Sequence, residues 1–226
     1  MKEIIFDDRA DAGRQLTAAL SARRYNHPLL VLGIPRGGVL VAKEVADSFG
    51  APLDVIIARK LRAPHQPELG IGAVVDGNHI CILNQELVGM VGATQDYLDR
   101  EIAYQKEEIE RRLEFYRRGR LAPEVSGKTV IVIDDGVATG YTFRAALEGL
   151  RRRNPAKLIG AAPVAAQDSA RMLKPYADEL IFLSTPVAFY AVGAWYRNFD
   201  QVSDDEVATV LHGNWSRFET KDSAAA

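Results

Sequence analysis

Thr129-Val130-Ile131-Val132-Ile133-Asp134-Asp135-Gly136-Val137-Ala138-Thr139-Gly140-Tyr141-Thr142 is the stretch on which the reading of this chain turns. Five consecutive β-branched residues form an emphatic strand over 129–134, and a helical pattern follows over 139–153. Between them, two adjacent carboxylates stand at a strand end. There they can accept hydrogen bonds from a vicinal diol, or hold a Mg²⁺ that keeps several of its waters. Gly136, Ala138 and Gly140 are small enough for the backbone to curl closely around a ligand. Amides at the start of the next helix point at an anion whose charge the helix dipole favours. Thr139 and Thr142 add hydroxyl donors. The loop therefore reads as a cradle for one phosphate beside a grip for a sugar. An ordinary strand, Asp-Gly turn and Thr cap would account for any two of these residues, but not for the whole set in one loop.

Working outward, short apolar runs alternate with helical patterns. Strands are expected over 28–34, 53–59, 157–164 and 180–183, with helices over 37–49 (closed by Gly50), 168–174 and 203–212. Residues 71–75 and 79–83 read as a hairpin across Asp76-Gly77-Asn78, and 61–70, with two prolines, as a loop. The longest helical pattern covers 94–118. This alternation implies an α/β fold, a mostly parallel sheet flanked by helices, with ligands outside the carboxyl ends of the strands. Nothing marks a domain boundary within 1–226. A single domain is expected, with a helical insertion over 94–120 and a small hood-like region over 184–212.

Bulk properties exclude more than they assign. Net charge is −2, so no basic field draws the chain to nucleic acid or an acidic membrane. Over 94–120 seven acids balance seven bases, which suits a solvated or dimer-facing helix, and a homodimer is the association this suggests. Arg151-Arg152-Arg153 sits at a helix end, where cations complement the dipole. Cys81 is the only cysteine, the four histidines are scattered, and the charged start MKEIIFDDRAD does not resemble a signal peptide. No run is long enough to span a membrane, so a cytoplasmic location is expected. Asn214-Trp215-Ser216 is a glycosylation sequon that such a protein would not use, and the tail 223–226 is expected to fray. There is no P-loop, no Gly-x-Gly-x-x-Gly and no Gly-x-Ser-x-Gly.

Residues 130–142, VIVIDDGVATGYT, resemble the signature of the type I phosphoribosyltransferases, and the layout is similar to that of uncharacterised bacterial members. The resemblance implies that Asp134 and Asp135 meet the ribose hydroxyls of phosphoribosyl pyrophosphate and its Mg²⁺. It implies that Ala138, Thr139, Gly140, Tyr141 and Thr142 hold the 5′-phosphate. By the same resemblance Arg36, Gly37 and Gly38, at the end of the first strand, would bind pyrophosphate. Arg59 and Lys60 would neutralise the leaving group, with a lid after them to which His65 and Glu68 belong. The aromatic-rich stretch 186–200 would form a hood in which Trp195 or Tyr196 stacks on a flat acceptor and Asp200 accepts a hydrogen bond; a hydrophobic flap is an equal account of it. A phosphoribosyltransferase is the function this implies. The alternatives are a non-catalytic sensor of phosphoribosyl pyrophosphate and, further off, a hydrolase or phosphorylase using the same cradle. Hypoxanthine-type enzymes carry an acid where this chain has Ala138, so hypoxanthine is expected to be a poor acceptor. Comparing pyrophosphate release with hypoxanthine and with other bases checks this; equal rates with hypoxanthine and the best other base would contradict it.

Overall fold

In the computed structural model, which describes residues 5–76 and 80–223, five parallel strands form the central sheet. They are β1 (Leu29–Gly33), β2 (Leu53–Val55), β6 (Thr129–Ile133), β7 (Lys157–Val164) and β8 (Glu179–Ser184), in the order β2-β1-β6-β7-β8. A second sheet of three antiparallel strands, β3 (Ala58–Ala63), β4 (Gln66–Val75) and β5 (Ile80–Leu83), is inserted between β2 and β6 in the chain. Period-two alternation divides the central strands between two apolar layers. Val31, Ile131, Ile133 and Ile159 belong to one core. Leu30, Leu32, Val130, Val132 and Leu158 belong to the other. The first core is covered by α1 (Arg9–Ser21), α2 (Gly37–Phe49) and α7 (Asp204–Ser223), the second by α5 (Tyr141–Arg151) and α6 (Gln167–Leu173).

β1 and β6 run parallel and in step, from Leu29 opposite Thr129 to Gly33 opposite Ile133. Their carboxyl ends are level, so the segment 34–38 and the loop after β6 emerge side by side; the Ile34 amide donates to the Ile133 carbonyl at 2.8 Å. At the sheet's edge, α7 covers β2. The buried Asn214 accepts from the Leu53 amide at 2.9 Å, and the Trp215 indole donates to the Leu53 carbonyl at 2.7 Å. Asn214 is thus committed to the core, which agrees with an unused sequon.

The structure corrects several expectations. The strand over 53–59 is broken at Ile56-Ile57, where the chain leaves one sheet for the other. The expected loop 61–70 is a hairpin that turns at Pro64-His65, with His65 at φ 60°. Pro67 is tolerated because the register jumps from Gly70↔Arg62 to Gln66↔Ala63, leaving 67–69 outside regular pairing. The C-terminal helix reaches Ser223 instead of stopping at 212, and α1 has no counterpart among the expected elements. Gly77 and Asn78 of the expected second turn, His79 of the strand expected after it, and residues 224–226 of the expected tail lie outside the described residues. Among the described residues no helix is long and apolar enough to cross a membrane.

The inserted helices are α3 (Gln85–Met90) and α4 (Gln95–Arg117), the latter started by the Thr94 side chain, which accepts from the Tyr97 amide at 3.3 Å. α4 is not simply solvated. It buries Leu98, Glu101, Gln105, Ile109, Leu113, Tyr116 and Arg117, chiefly along one stripe. Glu101 pairs with Arg62 at 2.9 Å, and Gln105 accepts from Arg59 at 2.9 Å. Arg117 lies between two buried carboxylates, Asp54 at 3.2 Å and Asp76 at 3.3 Å, and donates to the Val55 carbonyl. It therefore ties the helix to β2 and to the end of β4. Burial pushes Asp54 up despite Arg117, and pushes Asp76, whose Oδ1 has no hydrogen-bond partner among the described residues, up to about 6.

A carboxyl whose folded pKa exceeds its unfolded value favours the folded state below the unfolded pKa, and that contribution is lost as pH rises through the folded value. Removing Arg117 leaves two buried carboxylates without their cation. Arg117→Leu is therefore expected to cost about 3–5 kcal/mol near pH 8, and less near pH 5, where Asp76 takes up a proton. Urea denaturation at the two pH values measures the difference; an equal cost at both would contradict it.

Candidate active site

The site is assembled at the carboxyl ends of β1 and β6. Asp134 and Asp135 follow β6 directly. The Asp134 carboxylate accepts from the Asp135 amide at 2.9 Å. Burial, and next the neighbouring charge of Asp135, push the Asp134 carboxyl well above the usual carboxylate range. The segment from the other strand end presses against this pair, with the Pro35–Arg36 peptide in the cis form. A Cβ at Gly37 would stand 1.8 Å from Asp135 Oδ2, and one at Gly38 would stand 2.8 Å from the Asp134 Cα. Only glycines allow the two loops to touch in this way. The half-buried Arg36 lines the adjoining cavity; its carbonyl accepts from the Val39 amide at 3.2 Å, and its side chain makes no hydrogen bond or ion pair among the described residues.

The rest of the loop after β6 is open to solvent in part, with Gly136, Val137 and Gly140 buried. Ala138, Thr139, Tyr141 and Thr142 are exposed. Gly140 caps α5 at φ 76°, a left-handed conformation that glycine adopts without cost, and its carbonyl receives the first helical hydrogen bond, from Arg144 at 2.8 Å. The amides of the first turn of α5 consequently have no partner within the helix. The Val137 amide donates to Val164 O at 2.9 Å, and Ser169 Oγ donates to Ala138 O at 2.5 Å, so the loop is anchored while its outer face stays free. Amides at a helix start with the Thr139 and Thr142 hydroxyls beside them suit a phosphate.

Arg59 and Lys60 are engaged away from the acid pair. Arg59 donates to Gln105 on α4, and Lys60 Nζ donates to the Glu68 carbonyl at 2.7 Å. Both lie on β3, and Glu68 and His65 belong to the same hairpin. The hood aromatics are likewise committed. Trp195 and Tyr196 are each 6% exposed, packed with Phe6 and Val164 in a small third core, so neither ring faces a ligand here. Tyr196 instead donates its hydroxyl to the Asp135 carbonyl at 2.5 Å, and burial raises its phenol. Tyr190 is exposed, and Phe199 borders a cavity. That cavity, of about 360 Å³, is lined by Phe199 with Arg9, Arg36, Gly37, Asp135, Asp200, Gln201 and Val202.

Arg9 is the site residue that sequence reasoning missed. Its Nε lies 2.8 Å from Asp135 Oδ2, its Nη1 donates to the Asp200 carbonyl at 2.8 Å, and its guanidinium stands 3.9 Å from the centre of the Phe199 ring. No motif surrounds it; only the Asp8 side chain, which accepts from the Asp11 amide and opens α1, could have signalled a helix there. Because the loops touch at Gly37, Gly37→Ala is expected to destabilise the fold by about 1–3 kcal/mol. Gly89→Ala, in α3 with nothing within 4 Å of the added carbon, is expected to be neutral or to stabilise by about 0.5–1 kcal/mol. Chemical denaturation of the two variants provides the comparison.

Residues 3–192 match the phosphoribosyl transferase domain family. A Mycobacterium tuberculosis protein, provisionally named a phosphoribosyl transferase, is 43% identical over 227 residues, covering 98% of this chain and 50% of its own length. The chain thus spans about half the length of the curated relatives it matches first. A Streptococcus agalactiae protein, provisionally named a ribose-phosphate pyrophosphokinase, is 31% identical over 163 residues, covering 69% of this chain and 46% of its own. The crystal structure of TT1426 from Thermus thermophilus is similar with a TM-score of 0.80 and 42% identity, over 92% of this chain and 97% of that one. With the matched domain running through both loops of the site, this chain belongs to the phosphoribosyl transferase domain family.

Proposed function

We propose that this chain transfers a phosphoribosyl group from phosphoribosyl pyrophosphate to a nitrogenous base or related acceptor, with release of pyrophosphate and the help of Mg²⁺. The observation that carries the reading is the direct contact of Gly37-Gly38 with Asp134-Asp135, beside the open first turn of α5. That arrangement brings a sugar grip, a phosphate cradle and an oxyanion loop to one point.

In this reading the α5 amides and the hydroxyls of Thr139 and Thr142 fix the 5′-phosphate, and the acid pair accepts from the ribose hydroxyls. The sugar is thereby held in one orientation. As the anomeric C–O bond breaks, positive charge develops on the ribose near Asp134 and Asp135, while negative charge develops on pyrophosphate beside Arg36 and the amides of Gly37 and Gly38. The acceptor nitrogen forms the new bond to the anomeric carbon, and the proton it carried passes to solvent. Two carboxylates are the donor set a Mg²⁺ uses when substrate oxygens and waters complete its shell, so Asp134 and Asp135 fit that ion. When bound, it would neutralise charge on the leaving group. Phe199, rather than the buried Trp195 or Tyr196, is the ring of this region that lines the cavity where an acceptor would enter, with the Arg9 guanidinium over it.

One feature favours the second reading, a non-catalytic sensor. Arg59 and Lys60 are tied to Gln105 and Glu68, so they must change partners before they can serve a leaving group. Incubation with phosphoribosyl pyrophosphate, Mg²⁺ and a panel of purine and pyrimidine bases separates the two. The transferase reading expects acceptor-dependent release of pyrophosphate, reduced about 10²- to 10³-fold in Asp135→Asn. Tight binding with no release for any acceptor would favour the sensor.

A further inference from the structure

Arg9 is the first residue of α1, a place where the helix dipole disfavours a cation. Helix stability therefore does not explain it, and its tertiary contacts do. One guanidinium meets three groups: the Asp135 carboxylate, the Asp200 carbonyl and the face of Phe199. Its side chain is only 11% exposed and that of Asp135 only 14%. The segment that carries it is bound to the hood by backbone. The Phe6 amide donates to Trp195 O at 2.9 Å, the Arg197 amide to Phe6 O at 2.8 Å and the Asn198 amide to Asp7 O at 2.9 Å. Asp7 also pairs with Arg197.

We propose that Arg9 is a positioning residue of the sugar site: by holding Oδ2 of Asp135 it turns the other oxygen of that carboxylate toward the ribose hydroxyls. This rests on the phosphoribosyl reading above. The two acids of the pair are held differently. Asp134 is oriented from within the loop, by the Asp135 amide. Asp135 is gripped from outside, its carbonyl by Tyr196 and its carboxylate by Arg9, with Gly37 closing the remaining side. Without that grip the Asp135 side chain would be free to rotate about its Cα–Cβ bond. The planar guanidinium fork, fixed by its bond to Asp200 and its stacking on Phe199, prevents that rotation before any ligand arrives. A carboxylate that needs no reorientation binds its diol more tightly. The N-terminal segment and the hood thus act together on the grip itself.

The test isolates the diol. Ribose 5-phosphate and 2-deoxyribose 5-phosphate share the phosphate and the 3-hydroxyl and differ in the 2-hydroxyl, so the ratio of their dissociation constants, measured by calorimetry, reports the part of the acid pair's grip that falls on the 2-hydroxyl. Wild type is expected to prefer ribose 5-phosphate by at least about tenfold. Arg9→Gln is expected to bring the ratio to within about twofold of unity by weakening ribose 5-phosphate much more than 2-deoxyribose 5-phosphate, and Arg9→Lys to restore part of it. A purely structural role would weaken both ligands alike. Phe199→Leu, which keeps the charge and removes the ring beneath it, is expected to lower the ratio partway and serves if Arg9→Gln does not fold. A wild-type ratio retained in Arg9→Gln, or in Phe199→Leu where that variant stands in, overturns the proposal and leaves the transferase reading intact. Absence of any preference in wild type overturns the diol reading of Asp134 and Asp135, and this proposal with it.

Discussion

The site depends on one pairing, the in-step parallel register of β1 and β6 that sets Gly33 opposite Ile133. Both layers are apolar, so alternation alone does not set this register; backbone bonds beyond the strand ends, from the Thr129 amide to the Pro28 carbonyl and from the Ile34 amide to the Ile133 carbonyl, hold it. Level strand ends then put Gly37-Gly38 against Asp134-Asp135, at distances no larger residue permits. The chemistry of the loop after β6 is local in sequence, but its partner lies about a hundred residues away, and only the sheet brings them together.

Around that contact the molecule adds restraints from distant parts of the chain. α4, entering through the inserted sheet, is locked to the core by Arg117 between Asp54 and Asp76, and holds Arg59 and Arg62 on β3. The segment 185–203 folds back with the N-terminus over the acid pair. Val192 lies against Gly136, and the Tyr196 hydroxyl reaches the Asp135 carbonyl. Such buried polar ties stabilise little in net terms, since desolvation offsets much of their attraction, but leaving one unpaired is costly. They specify position more than they add stability.

What was legible in the sequence had a short range. The strand 129–133, its loop and the helix after it could be read because five β-branched residues and a cluster of small and acidic ones stand together. The double-sided sheet followed from the alternation of elements. The hairpin at 61–70 was misread because Pro64 and Pro67 signal a break, and only the register jump around 67–69, a property of two strands at once, makes room for them. Arg9 could not be found from its neighbours, because its meaning lies in Asp135 and Asp200. Trp195 and Tyr196 looked like ligand-facing rings, yet Phe6, itself far away in sequence, completes the core that buries them.

The central claim is that the acid pair and the loops beside it bind phosphoribosyl pyrophosphate with Mg²⁺. Calorimetric titration of phosphoribosyl pyrophosphate into wild type and into Asp134→Asn/Asp135→Asn, with and without Mg²⁺, tests it most directly. The account predicts Mg²⁺-dependent binding in wild type that disappears in the double variant. Absence of binding to wild type under both conditions, or unchanged binding in the variant, would contradict it and leave the family assignment a statement about the fold.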